Sequence, residues 1–107
     1  MSKEFDFRVD DKKEIKKIIK ELNKSKVSIY GEGLNLPCTV DTNIQNNIFV
    51  FGNDVVSINK ITRINIYSGS IAEEYSCFTC MLFTNDRPID LFVPNGFKDK
   101  FEKYNKE

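Results

Sequence analysis

The chain has 107 residues, balances 16 Lys and Arg against 16 Asp and Glu, and contains neither histidine nor tryptophan. That length is one domain, here spanning 1–107, with a single core. Without histidine, no Ser-His-Asp triad, Cys-His pair or histidine metal site can be assembled, and the commonest general base is missing.

The charge is unevenly spread. Residues 1–26, an N-terminal arm and helix, carry nine basic and six acidic side chains; residues 27–94, a strand-rich body, carry three and seven; the tail 95–107 carries four and three. Three Pro and five Gly are too few for a fibrous or flexible chain. No apolar run is long enough to span a bilayer, and Met1-Ser2-Lys3-Glu4 does not open a signal peptide. Three cysteines, an odd number, fit reduced thiols and a cytoplasmic location.

In chain order, Phe5, Phe7 and Val9 alternate with Asp6 and Arg8, a short strand with one apolar face. It can extend a sheet edge of its own chain or pack on a partner. Asp11 stands three residues before Glu14, a capping-box spacing that marks a helix start. Ile15, Ile18, Ile19 and Leu22 then form one helical stripe, ending near Asn23-Lys24-Ser25. Lys12, Lys13, Lys16, Lys17 and Lys20 cover the opposite face, in the ordinary reading a solvated one.

Strands are expected at Val27–Tyr30, turned by Gly31-Glu32-Gly33, and at Leu34–Val40, where Pro37 implies an edge or a bulge. A polar loop from Thr42 to Asn47 leads to Ile48–Phe51, apolar on both sides. From Asp54 to Tyr67 the spacing of Ile58, Ile61, Ile64 and Ile66 is three, three and two, neither helical nor strictly alternating. It predicts a strand, a tight turn at Asn59-Lys60 and a second strand, all four isoleucines sharing one core. Ser68 to Glu74 reads as a polar loop too short to fold by itself. Tyr75–Phe83 is the longest strand, with Phe78, Cys80 and Leu82 on one face and Cys77, Thr79 and Met81 on the other. Ile89–Val93 follows a hairpin at Thr84–Arg87, and Asn95 is placed to cap a helix carrying Phe97, Phe101 and Tyr104. The expected class is α+β: an N-terminal amphipathic helix, about seven antiparallel strands in a curled sheet or partly open barrel, and a C-terminal helix.

Chemistry-bearing patterns are few. Cys77-Phe78-Thr79-Cys80 matches Cys-x-x-Cys, but in a continuous strand its thiols point to opposite faces, and only Cys38 remains to complete a metal site. Gly31-Glu32-Gly33 lacks the helix and the Lys-Ser/Thr of a phosphate loop. Phe49, Phe51 and Phe78 could stack bases, yet the body has only Lys60, Arg63 and Arg87 to meet phosphates. No catalytic residue, metal or cofactor is assigned, and an enzyme is the least favoured class.

Seven strands followed by one amphipathic helix is the order of the pleckstrin-homology-like fold. The run from Ile89 to Phe101 resembles the last strand and capping helix of its bacterial members, and Val56–Ile64 is similar to their mid-domain strand. That resemblance implies a binding platform; Glu32, where a basic loop would stand, argues against phosphoinositide binding. A second resemblance, to Sm-like barrels, rests on a helix followed by five short strands, and would make the residues after Tyr67 an extension. It implies RNA binding through Lys12, Lys13, Lys16, Lys17 and Lys20. The functional expectation is a cytosolic, non-catalytic module acting through protein–protein contact, as adaptor, inhibitor or homo-oligomer subunit, a homodimer included. Phe5, Phe7, Val9 and the Pro37 strand are its candidate contact residues; nucleic acid and membrane are not expected partners. RNA binding and small-ligand sensing are the alternatives.

Overall fold

The computed structural model describes residues 6–29, 37–52 and 54–105. It is α+β, with eight antiparallel strands in one unclosed sheet: β1 (Asp6–Val9), β2 (Lys26–Ile29), β3 (Pro37–Asn43), β4 (Ile48–Phe51), β5 (Asp54–Ser57), β6 (Ile61–Tyr67), β7 (Cys77–Thr84) and β8 (Pro88–Pro94). Helix α1 (Lys12–Glu21) lies between β1 and β2, α2 (Ser70–Glu74) between β6 and β7, and α3 (Lys98–Glu102) after β8. The strand order is β1-β6-β7-β8-β2-β3-β4-β5, so β1 and β5 are the outer edges.

The sheet curls around the apolar stripe of α1. Asp11 caps that helix, its carboxylate accepting from the Lys13 amide at 2.9 Å. Ile15, Ile18, Ile19 and Leu22 are all buried in the core shared with the sheet. Two bonds fix the helix over β3: Thr42 donates its hydroxyl to the Ile19 carbonyl at 3.1 Å, and its amide donates to Asn23 Oδ1 at 2.9 Å. Lys24 turns the chain out of the helix with φ of 68°. At the other end of the chain Phe101 and Tyr104 close the same core, Phe101 meeting Phe78 edge-on at 5.4 Å.

The irregular isoleucine spacing has a physical explanation. Ile58 sits on a 3₁₀ turn (Ile58–Lys60), which accounts for the first interval of three. A β-bulge between Ile61 and Arg63 accounts for the second, because it lets Ile61 and Ile64 point the same way on one strand. Regular pairing then sets Ile64 opposite Leu82 and Ile66 opposite Cys80. All four isoleucines are buried. The turn at Asn59-Lys60 stands; the bulge is new.

Other expectations change. The arm strand joins the sheet beside β6, Phe7 pairing with Ile66 and Val9 with Ile64, so the count is eight. The stretch from Ser70 to Glu74 is not a loop but α2. So short a helix is marginal by itself; it persists because Ala72 is buried against the sheet. The strand after it begins at Cys77, since Ser76, with φ of 58°, turns the chain out of line. Asn95 does not cap α3, whose first turn follows Phe97 with no side-chain cap; it opens a 3₁₀ turn and donates its amide to the Ser76 carbonyl at 3.0 Å.

The strand carrying Pro37 is not an outer strand. β3 lies between β2 and β4 but changes partner along its length: residues 37–39 pair with β2, and the ladder to β4 begins at Val40. Pro37 is the first residue of the strand, opposite Ser28, a position where its missing N–H breaks no ladder to β4. The residues from Tyr30 to Leu36, including the expected Gly31-Glu32-Gly33 turn, lie outside the described residues.

Candidate functional site

Along β6, β7 and β8 the inward side chains are apolar and the outward ones are mixed. Pairing lays the outward residues in rows: Arg63 and Phe83 in one; Arg8, Asn65, Met81 and Asp90 in the next; Asp6, Tyr67, Thr79 and Phe92 in the third. The first row is closed on itself, the Arg63 guanidinium carbon lying 4.1 Å from the Phe83 ring centre. The third row is covered. Helix α2 packs on β7, and Thr79 and Phe92, although they face away from the core, are only 4% and 5% exposed.

Between α2 and these rows lies a cavity of about 230 Å³, lined by Tyr67, Gly69, Ile71, Thr79, Asp90 and Phe92, with Ser70 and Ala72. Tyr67 and Thr79 stand directly opposite each other on neighbouring strands. Asp90 Oδ1 is buried and has no hydrogen-bond partner among the described residues. Burial pushes the Asp90 carboxyl above the usual carboxylate range. Burial, and secondarily the Asp90 charge, push the Tyr67 hydroxyl up as well. Gly69 leaves room in the cavity that a methyl would occupy at ordinary contact distances, 3.4 Å from Tyr67 Cε2 and 3.5 Å from Thr79 Oγ1. Ile71, which lines the cavity, and Tyr75, four residues on and just past α2, are 47% and 44% exposed. The site combines a carboxylate with one buried, unpartnered oxygen, two aromatic walls, a hydroxyl and an apolar rim.

The sequence reading had not singled out this site. Its signals were present: Asp90 interrupts an apolar strand, Phe92 and Tyr67 occupy outward positions where polar residues normally alternate, and Ile71-Ala72 supply the cover.

The expected contact residues fall elsewhere. Phe5 lies outside the described residues. Phe7 and Val9 are buried in the core of their own chain, so what β1 leaves outward is its backbone edge with Asp6 and Arg8. Beside that edge is a groove of about 460 Å³ whose lining includes Arg8, Asp10, Asp11, Glu14 and Tyr104. At the other edge, Val55 is 67% exposed and Asp54 reaches Arg87 at 3.9 Å across a smaller gap.

Of the lysines on α1, Lys12 donates to the Asn59 carbonyl at 2.8 Å and so ties the helix to the 3₁₀ turn. Lys13, Lys17 and Lys20 are exposed and Lys16 half-buried. Phe49, Phe51 and Phe78 are buried in the core and offer no ring for stacking. The loop expected from Thr42 to Asn47 is shorter than that: Thr42 and Asn43 belong to β3, opposite Phe49 and Ile48, and residues 44–47 form the turn, where the carbonyl of Asn47, at φ of 55°, accepts the Ile58 amide at 2.8 Å.

Cys77 and Cys80 occupy opposite faces of β7, as strand geometry requires, with Cys80 in the core. Burial pushes the Cys80 thiol up to about 12 and raises Cys38 and Cys77 too. These thiols therefore stay protonated near neutral pH and are weak nucleophiles and metal ligands. Among the described residues no three His, Cys, Asp or Glu side chains gather as a metal site, and no helix is long and apolar enough to cross a membrane. No family model matches the chain, and neither a characterised protein nor a solved structure is similar to it.

Proposed function

We propose that the chain is a non-catalytic binding module that acts through protein–protein contact, with the outer face of β6–β8 and α2 as its docking surface. The observation that carries this reading is the pair of exposed apolar side chains Ile71 and Tyr75, the first lining a pocket in which Asp90 Oδ1 has no hydrogen-bond partner among the described residues. Aromatic and aliphatic anchors around a small pocket are the usual centre of a protein interface. At about 230 Å³ the cavity falls below the range of about 300–1,000 Å³ typical of small-molecule sites, which weighs against a ligand sensor.

The order β2–β3–β4–β5, then β6–β7–β8, then α3 also supports the pleckstrin-homology-like resemblance, with β1 and α1 as additions. The Sm-like alternative is weaker on one specific point. β7 and β8 lie between β6 and β2, and their Phe78, Leu82, Leu91 and Val93 are fully buried, so the residues after Tyr67 belong to the core and are not an appendage. A cytoplasmic adaptor or inhibitor is the resulting reading.

The test is affinity capture with the wild-type chain and with an Ile71→Asp, Tyr75→Ser double variant. Both positions are exposed, so the variant keeps the fold. The wild type retains a protein partner that the variant releases; a partner held equally by both contradicts the proposed surface.

A second copy at the β1 edge is the other protein contact with a specific observation behind it. Antiparallel pairing of two β1 strands centred on Phe7 sets the exposed Asp6 of each opposite Arg8 of the other. Native mass spectrometry of wild type and Arg8→Asp decides: a dimer lost in the variant supports that contact, and a monomeric wild type removes it.

A further inference from the structure

We infer that the pocket under α2 receives a primary ammonium group, specifically the lysine side chain of a protein partner docked on Ile71 and Tyr75. The inference rests on the docking surface proposed above and specifies what enters it.

The chemistry of the walls selects the guest. Asp90 Oδ1 is a buried acceptor with no donor among the described residues, and an acceptor left unpaired in this way costs free energy until a donor arrives. The surroundings raise its carboxyl by burial alone, with no neighbouring cation acting to lower it. A cation entering the pocket supplies that missing charge. Tyr67 and Phe92 provide aromatic surface beside the carboxylate, and aromatic rings attract cations as well as the methylene stem of a lysine. Thr79 Oγ1 adds a second oxygen within the same lining. An anion is excluded by Asp90, and a purely apolar guest would leave the carboxylate unpaired.

Two further features choose among cations. One carboxylate oxygen, not a matched pair, is the buried unpartnered atom, so a point-like ammonium suits it better than the planar fork of a guanidinium. The exposed apolar rim of Ile71 and Tyr75 gains nothing from a free amine, whereas a protein carrying the lysine covers it. The strand-rich body from 27 to 94, with seven acidic and three basic residues, favours such a partner at longer range.

The experiment is a two-dimensional NMR titration of the intact protein with n-butylammonium chloride, in parallel with n-pentanol and n-propylguanidinium chloride at matched ionic strength. The wild type shows saturable shifts at Tyr67, Thr79 and Asp90 with n-butylammonium, about tenfold or more weaker with n-pentanol, and weaker also with the guanidinium. Asp90→Asn loses the ammonium response by about tenfold or more. Gly69→Ala reduces it too, because its methyl fills the cavity at ordinary contact distances from Tyr67 and Thr79. An equal response to the alcohol, or an unchanged response in Asp90→Asn, overturns the ammonium assignment. Equal or tighter guanidinium binding overturns the choice of lysine. These titrations need no partner. Their failure, alongside capture that still depends on Ile71 and Tyr75, would remove the ammonium inference and leave the docking surface standing.

Discussion

The two faces of β6, β7 and β8 are built from the same alternation and do different work. Inward, Ile64, Ile66, Phe78, Cys80, Leu82, Leu91 and Val93 are fully buried and carry no charge. Outward, the same strands present Arg63, Asn65, Tyr67, Thr79 and Asp90, and three of these hold buried polar atoms with no hydrogen-bond partner among the described residues: Arg63 Nε, Asn65 Oδ1 and Asp90 Oδ1. The inner face accounts for why the chain folds, and the outer face carries the polar groups and the pocket.

Substitutions on the two faces sharpen the contrast. The largest effect is expected inside: Phe78→Ala removes a fully buried ring that packs on Phe101 and costs about 3–5 kcal/mol in urea unfolding. Ala72→Asp puts a charge beneath α2, where the residue is only 1% exposed. Because α2 can lift away instead of burying the ion, the cost stays at about 1–3 kcal/mol, and amide exchange rises selectively over residues 70–76. Loss of exchange protection spread evenly over the sheet would mean that α2 is integral to the inner core. Asp11→Ala removes the cap of the helix that fills the curled sheet and costs about 1 kcal/mol without disturbing the outer pocket. Gly69→Ala changes thermal stability little, within about 0.5 kcal/mol, since its φ of −99° is open to any residue.

How far the sequence carried the reading differs between the faces in the same way. The inner face was legible, because apolar periodicity is its only requirement: the α1 stripe, the four isoleucines and the Phe78-Cys80-Leu82 face all appear as expected. The bulge at Ile61–Arg63 was not, since a bulge leaves no residue signature beyond an odd interval. The outer face was missed because its cover, Ser70–Glu74, is too short and polar to be recognised as a helix without the surface that stabilises it. Asp90 and Phe92 acquire meaning only when pairing sets them beside Thr79 and Tyr67. Pro37 misled for a related reason: the partner change along β3, which excuses its missing donor, is a tertiary fact.

Burying the Asp90 carboxylate without a cation partner costs folding free energy whenever it is ionised. Its carboxyl is raised in the folded chain by burial. Stability linked to the neutral form is therefore complete below the ordinary carboxylate pKa of about 3.9 and is lost as pH rises through the raised value. The decisive measurement is urea unfolding of wild type and Asp90→Asn at neutral pH and again in acid. Asp90→Asn is expected to be the more stable at neutral pH, by less than about 1 kcal/mol because solvent screens the partly exposed group, with the difference closing in acid. An Asp90→Asn variant less stable than wild type at neutral pH would contradict this expectation, because the carboxylate would then be supporting the fold.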